Sequence, residues 1–292
     1  GVGGRAVCPA AEHHAVLHPI EARGGRVVGV DGAGAVDLDR LAAVLDDDVA
    51  LVSVMAVNNE VGTVTDLAAV STLVRDRAPG AILHTDAVQA ACWLDLRSIA
   101  PLVDCISLSA HKFGGPKGVG LLTIREGVQI EPLIVGGGQE RERRSGTHNV
   151  AGIVAMASAL TATDREREGE NARLGALRDR LVDGLLGELD GALETVPRDR
   201  KVAGAGHVCL PGVESEALLY LLDEADVCAS AASACASGAM EPSHVLASMG
   251  VGREAAAGAL RLSLGHATTD ADVDRGLDVI VDSVRRLRRS AA

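Results

Sequence analysis

The stretch Ser107-Leu108-Ser109-Ala110-His111-Lys112-Phe113-Gly114-Gly115-Pro116-Lys117-Gly118 organises this chain of 292 residues. The residues before it, Val103 to Leu108, are apolar apart from Asp104 and Ser107 and read as a strand. The strand ends in a Ser-x-His-Lys turn. A glycine-rich segment follows, then a second apolar run from Val119 to Ile124. A lysine at the mouth of a buried strand, beside a hydroxyl and an imidazole, suits amine chemistry. Desolvation favours loss of its proton, and the free amine can attack a carbonyl. The same residues also fit a solvated lysine in a surface turn. The choice between the two turns on Asp86, further upstream.

Outward from this stretch, strand and helix patterns alternate. Arg26 to Val30 is a short strand candidate, and Leu38, Leu41, Ala42 and Leu45 share one helical face. Val49 to Val57 is an apolar run of the kind found in strands covered on both faces. Asp66 is placed to cap a helix whose apolar side is Leu67, Val70, Leu73 and Val74. Ala81 to Thr85 is the next strand, and it ends at Asp86. Strands separated by helical segments predict an α/β fold with a mostly parallel central sheet flanked by helices, and ligands bound beyond the strands' carboxyl ends. Three such ends carry polar residues: Asn58-Asn59-Glu60, Asp86 with Gln89, and Ser109 with His111 and Lys112.

Beyond Val150 the character changes. Residues 164–170 form a charged run, read as a solvated helix face or a domain junction. Leu174, Leu177, Leu181 and Leu185 make an apolar stripe, and strand candidates recur at His207 to Leu210, Asp226 to Ala229 and Ala259 to Leu264. A last helix starts near Thr269-Asp270 and buries Val273, Leu277, Ile280 and Val284. Two domains are therefore expected: a larger one over 1–166, and a smaller α+β one over 167–292.

Composition removes several function classes. The net charge of -12 argues against nucleic acid or an anionic membrane as partner. No apolar stretch approaches the ~18–20 residues of a membrane-spanning helix, and no secretory signal opens the chain. The first residues, Gly1-Val2-Gly3-Gly4, lack an initiator methionine and read as those of a processed or incomplete product. The aromatic side chains are Trp93, Phe113 and Tyr220 alone, so Ala, Val, Leu and Ile must build the core. None of the six cysteines, at 8, 92, 105, 209, 228 and 235, forms a CxxC pair. No metal site or disulfide is expected, and a cytoplasmic protein with reduced thiols is the default.

A carboxylate at a strand end can hold a pyridinium nitrogen protonated. Pyridoxal phosphate needs such a partner, alongside a lysine that binds it covalently. Asp86 and Lys112, at the ends of neighbouring strands, would supply both. Gln89 could hydrogen-bond the ring's phenolic oxygen, while Ser109 and His111 could hold the phosphate. Taken singly, Asp86 also reads as a helix cap and His111 as a turn histidine.

Seven segments carry a resemblance. They are Glu12-His13-His14-Ala15-Val16, Val57-Asn58-Asn59-Glu60-Val61-Gly62-Thr63, His84-Thr85-Asp86-Ala87-Val88-Gln89, the Ser109 to Gly118 stretch, and Gly136-Gly137-Gly138-Gln139-Glu140 with Arg144-Ser145-Gly146-Thr147. The last two are Ser233-Ala234-Cys235-Ala236-Ser237 with Glu241-Pro242-Ser243, and Arg261-Leu262-Ser263-Leu264-Gly265. In content, order and spacing the chain resembles the cysteine desulfurases of the NifS/IscS type. These are class V aminotransferases with the fold type I architecture of pyridoxal-phosphate enzymes. The resemblance implies Lys112, Cys235 and His13 as the catalytic set. Lys112 would attach to the cofactor, Asp86 would pair with its ring nitrogen, and His13 would stack on the ring. Gln89 and Asn59 would contact the phenolic oxygen, and Ser109, His111 and Thr147 the phosphate. Thr147 would reach the cofactor of a second subunit, which implies a homodimer. Arg261, with Asn59 beside it, would clamp the carboxylate of L-cysteine, a role suited to a guanidinium.

Cys235 lies among small residues, Ser230 to Met240, and a nucleophilic thiol needs such an open setting. The other five cysteines sit in or beside apolar runs and read as inert buried thiols. The resemblance then implies removal of sulfur from L-cysteine to give L-alanine and a persulfide on Cys235. That sulfur would pass to an iron–sulfur scaffold protein or a tRNA-thiolation carrier. Members of the family also carry an Ala-Thr-Glu-type phosphate loop upstream of the Glu-His motif, and no stretch here matches it. That departure supports a truncated paralogue acting only by dimerisation or partner binding. A selenocysteine lyase or another class V enzyme is the remaining alternative, and Cys235 argues against a transaminase.

Overall fold

The computed structural model describes residues 4–231 and 243–291, and the chain divides into two compact units. The first consists of Gly1–Val28, Asp37–Ala56 and Thr65–Arg167; the second consists of Gly29–Val36, Val57–Val64 and Glu168–Ala292. Two short segments, Gly29–Val36 and Val57–Val64, thus belong to the second unit, although chain order alone would assign them to the first.

In the first unit the chain runs β1 (Arg5–Pro9), α1 (His14–Ala22), β2 (Arg26–Val28), α2 (Leu38–Val44), β3 (Val49–Ser53), α3 (Leu67–Arg77), β4 (Ile82–Asp86), α4 (Leu96–Ile99), β5 (Cys105–Ser109) and β6 (Gly120–Ile124). The sheet order is β2-β1-β3-β4-β5-β6, with every pairing parallel except that of β6 with β5. The exception follows from the chain. A parallel return needs a crossover of a dozen or more residues, and the segment joining β5 to β6 is too short for one. Aspartates start the helices as their short side chains allow. Asp37 accepts the N–H groups of Asp39 and Arg40 at 3.0 and 3.1 Å, and Asp66 accepts that of Ala69 at 2.9 Å.

The apolar run from Val49 stops being a strand at Ser53. Its continuation stays buried and hooks over the end of β4, with the Val54 N–H on His84 O at 3.0 Å and the Ala56 N–H on Asp86 O at 2.9 Å. Val7, Cys8, Val52 and Leu83 are fully buried in the middle of the sheet. Truncating Leu83 to alanine is expected to cost about 2–5 kcal/mol. Urea denaturation followed by circular dichroism would read this, and a loss under about 0.5 kcal/mol would contradict close packing there.

The helix α5 (Val150–Glu188) begins in the first unit and passes into the second. The charged run 164–170 lies inside it, where Arg167 is buried against Asp164 at 2.6 Å. The second unit adds β7 (Leu193–Glu194), β8 (Ala205–Cys209), α6 (Ser215–Glu224), α7 (His244–Ser248), α8 (Arg253–Ala257), β9 (Ala259–Ser263) and α9 (Asp270–Ala291). The three strands form an antiparallel sheet in the order β7-β8-β9. Leu174, Leu177, Leu181 and Leu185 are all buried, as are Val273, Ile280 and Val284; Leu277 packs over Gly184.

Asp226 to Ala229, expected as a strand, is not one. The chain leaves α6 through a tight turn with Asp226 at φ 55°, and the Val227 N–H folds back onto Leu222 O at 2.9 Å. Among the described residues from Asp226 to Ala231, Ser230 is the one that bridges to β9, by two hydrogen bonds with Arg261 at 2.8 and 3.2 Å. No helix among the described residues is long and apolar enough to cross a membrane.

Candidate active site

In the first unit the parallel pairing of β4 with β5 sets Asp86 opposite Ser107. Ser109 ends β5, and a short 3-10 turn, Ala110–Phe113, carries His111 and Lys112. The turn is held from below. Ala110 and Phe113 are buried, the Ala110 N–H donates to Val119 O at 3.0 Å, and Thr163 Oγ1 donates to Phe113 O at 3.2 Å. Gly114 closes it with φ 83°, a conformation that side chains resist, and its N–H returns to Ala110 O. His111 and Lys112 stand exposed between the two buried anchors. Of the two readings the sequence leaves open for Lys112, a desolvated amine and a solvated turn lysine, the exposure agrees with the second. A turn this tight, pinned at both ends, turns the residues between its anchors outward.

Asp86 is half-buried, and its Oδ1 accepts the Val88 N–H at 2.9 Å, which leaves Oδ2 for a ligand. Gln89 is half-buried in the turn that follows β4. His84 shares the Asp86 face of the strand, two residues earlier. Its Nδ1 meets Ser53 Oγ and its Nε2 meets Ser107 Oγ, both at 2.8 Å. Burial lowers the His84 pKa below its ordinary value, against the opposing field of Asp86. A neutral ring fits two hydroxyl neighbours, donating to one and accepting from the other. The sequence reading gave His84 no role. Its period-two relation to Asp86 was the available signal.

His13 caps α1, where Nδ1 accepts the Ala15 N–H at 3.1 Å. The adjacent Glu12 is fully buried and accepts the Met55 N–H at 2.5 Å. Burial raises the Glu12 pKa well above the carboxylate range; the Met55 hydrogen bond opposes that rise, and the charge of Asp86 adds to it. Thr147 lies elsewhere in this unit and is exposed, after a glycine-rich loop in which Ser145 Oγ accepts the Gly138 N–H at 3.3 Å. The described contacts thus gather Asp86, Gln89, Ser109, His111 and Lys112 at the ends of β4 and β5. They do not bring Thr147 to that cluster.

Asn59 and Arg261 belong to the second unit. Arg261 lies on β9 opposite His207 of β8, and its Nη1 donates to Asn59 O at 3.2 Å. Asn59 Oδ1 is buried with no hydrogen-bond partner among the described residues. The loop that presents Asn59 is shaped by Asn58, whose Oδ1 accepts the Glu60 and Val61 N–H groups at 2.9 and 3.0 Å. Gly62 has φ 81°, and a Cβ there would meet the Ala205 Cβ at 2.4 Å.

Cys235 lies outside the described residues, as do Ser233, Ser237, Glu241 and Pro242. Of the other cysteines, Cys8, Cys105 and Cys209 are buried and Cys92 is half-buried. Burial pushes the Cys8 thiol up to about 12, and raises those of Cys92, Cys105 and Cys209 as well. Cys228 departs from the expected buried thiol and is exposed, because the Asp226 turn carries it out of any strand.

Comparison with known proteins places this arrangement. The aminotransferase class-V family model matches residues 1–275. An IscS-like cysteine desulfurase of Mycobacterium tuberculosis is 44% identical over 98% of this chain and 75% of its own length. The cysteine desulfurase IscS of Methanosarcina thermophila is 42% identical over 98% of this chain and 71% of its own. A solved NifS-like protein superposes with a TM-score of 0.86 at 38% identity, over 96% of this chain and 74% of that one. The fold matches too: a mostly parallel sheet whose carboxyl ends carry a lysine and an aspartate on neighbouring strands. This chain therefore belongs to the aminotransferase class-V family, and within it to the cysteine desulfurases of the NifS/IscS type.

Proposed function

We propose that the chain is a pyridoxal-phosphate-dependent cysteine desulfurase, which takes sulfur from L-cysteine, releases L-alanine and holds the sulfur on Cys235. The observation that carries the reading is the amine of Lys112 and the carboxylate of Asp86 at the carboxyl ends of adjacent parallel strands. The residues there suit the cofactor. Asp86 keeps Oδ2 for a protonated ring nitrogen, and Ser109 Oγ makes no capping bond. The Lys112 ammonium has no carboxylate partner among the described residues.

When bound, the cofactor supplies an electron sink for the pair left at the substrate Cα. Lys112 would hold it covalently and, as a free amine, would remove the Cα proton. Asp86 would keep the ring nitrogen protonated, Gln89 and Asn59 would take the phenolic oxygen, and His13 would cover the ring face. Ser109 and His111 would hold the phosphate, with Thr147 serving the second subunit of a homodimer. Arg261 takes the substrate carboxylate. The Cys235 thiolate attacks the substrate sulfur: an S–S bond forms, the Cβ–S bond breaks, and its electron pair stays with the carbon skeleton that leaves as alanine. Residues 1–166 act as the cofactor domain and 167–292 as the smaller domain bearing Cys235. The acceptor is a protein of iron–sulfur assembly or tRNA thiolation. A cytoplasmic setting agrees with the unpaired state of the five described thiols.

Two measurements test this. Incubation with pyridoxal phosphate, borohydride reduction and peptide mass spectrometry should find the adduct on Lys112, and L-cysteine should yield equimolar alanine and transferable sulfur. An adduct elsewhere, or no alanine, sinks the reading. Arg261→Ala should raise the KM for L-cysteine about 10–100-fold, the loss of a charge-assisted pair, while kcat falls less. An unchanged KM would remove Arg261 from substrate binding.

A further inference from the structure

The loop residue next to Asn59 has no role in that scheme, yet Glu60 is a buried carboxylate, only 6% exposed. Its Oε2 is hydrogen-bonded to Ser243 Oγ, at the start of α7. Ser243 Oγ also accepts the Val245 and Leu246 N–H groups at 3.1 and 3.3 Å. With both acceptor positions so used, its single proton goes to Glu60, and the carboxylate is the acceptor.

Arg261 is tied to the same loop, its Nη1 donating to the carbonyl of Asn59, the residue before Glu60, at 3.2 Å. Its charge lowers the Glu60 pKa, although no direct ion pair joins the two. Among the described residues, His207 is the titratable group paired across the sheet from Arg261, and it carries no charge to compete. His207 is fully buried, its Nδ1 bonded to Thr195 Oγ1 at 2.6 Å and its Nε2 without a partner among the described residues, and burial with Lys201 and Arg261 nearby drops its pKa to about 3. Lys201 is itself paired with Glu194 at 2.5 Å.

We infer that Glu60 is a positioning residue for substrate binding: braced by Ser243, its carboxylate orients Arg261 through the field between them while leaving the guanidinium donors for the carboxylate of an amino-acid substrate. A direct pair would occupy those donors. A field does not, and the Asn59 carbonyl takes one guanidinium donor, Nη1, at 3.2 Å. The inference rests on the proposed desulfurase reading for the identity of the substrate.

Burial pushes the Glu60 carboxyl up to about 7, against the Ser243 hydrogen bond and the Arg261 charge. Because the folded pKa lies above the unfolded one, the folded state holds the proton more tightly. Glu60 therefore stabilises the fold below about pH 4.5, and that contribution is lost as pH rises through about 7. A carboxylate kept where it costs stability fits a functional demand better than a packing one.

The test uses the cofactor-loaded enzyme with Glu60→Gln and Ser243→Ala. The wild type should show a KM for L-cysteine that rises as pH falls below about 7. Glu60→Gln should raise KM roughly tenfold at pH 8, flatten that acid limb, and melt at a higher temperature than the wild type above pH 7. Ser243→Ala, which removes the hydrogen bond favouring the charged form, should move the acid limb to higher pH. A purely structural role predicts a lower melting temperature with KM and its pH profile unchanged, and that result would overturn the proposal. Carboxyl 13C NMR of the protein without substrate gives a separate readout: Glu60 should titrate near 7, and higher still in Arg261→Gln. Titration in the ordinary carboxylate range, or indifference to Arg261, would also overturn it. If the wild type forms no alanine, the desulfurase reading fails by itself, and the NMR titration still decides whether Glu60 acts on Arg261.

Discussion

Lys112→Ala is expected to lower alanine formation from L-cysteine by at least about 10³-fold. The proposed function puts two roles on the same amine, covalent hold on the cofactor and transfer of the Cα proton, and alanine would supply neither. Lys112→Arg should be nearly as damaging, since a guanidinium stays protonated and cannot act as either nucleophile or base. The side chain is exposed on a turn anchored by Ala110 and Phe113, so stability should stay within about 0.5 kcal/mol of the wild type. The borohydride-fixed adduct should vanish, together with exchange of the substrate Cα hydrogen with solvent deuterium, followed by proton NMR. A variant keeping a tenth of the wild-type rate would show that another base serves the reaction.

Cys235→Ala should separate the two halves of the chemistry. In the proposed scheme the Cys235 thiolate accepts the substrate sulfur, so without it alanine formation should fall by about 10²–10³-fold or more. The Lys112 adduct and Cα–H exchange should persist, because proton removal precedes sulfur transfer. Mass spectrometry of the wild type after one turnover should find one added sulfur on the Cys235 peptide, absent in the variant. The buried thiols cannot stand in, since burial keeps Cys8, Cys105 and Cys209 protonated near neutral pH. Cys228 is exposed, and Cys228→Ala is the matched control, expected to stay within about twofold of the wild type. Loss of Cα–H exchange in Cys235→Ala would instead mean that the thiol takes part in the proton step.

Both predictions begin from residues found by pattern, and the pattern has physical limits. Period-two alternation and helix caps mark where a strand ends, so Asp86 and Lys112 could be set at strand ends from the sequence. Their adjacency, expected from the alternation of strands and helices, is fixed by the parallel pairing of β4 with β5. Asp226 to Ala229 failed as a strand because α6 closes on a left-handed turn, and hydropathy carries no information about backbone handedness. The sequence leaves open whether Lys112 is desolvated or solvated, because exposure depends on which neighbours in the turn serve as anchors. Glu60 and His84 went unassigned for a similar reason: their partners Ser243, Ser53 and Ser107 are remote in sequence.

The sequence by itself determined the fold class, the order of the strands' functional ends and the family, because these rest on local periodicity and on motifs read along the chain. Only the tertiary structure decided that Gly29–Val36 and Val57–Val64 belong to the second unit, that β6 runs against β5, and that the loop of Asn59 and the buried Glu60 is bonded to both Arg261 and Ser243. Those outcomes depend on which distant backbone and side-chain groups satisfy one another's hydrogen bonds and charges once water is excluded. That is a property of the packed chain rather than of any one stretch of it.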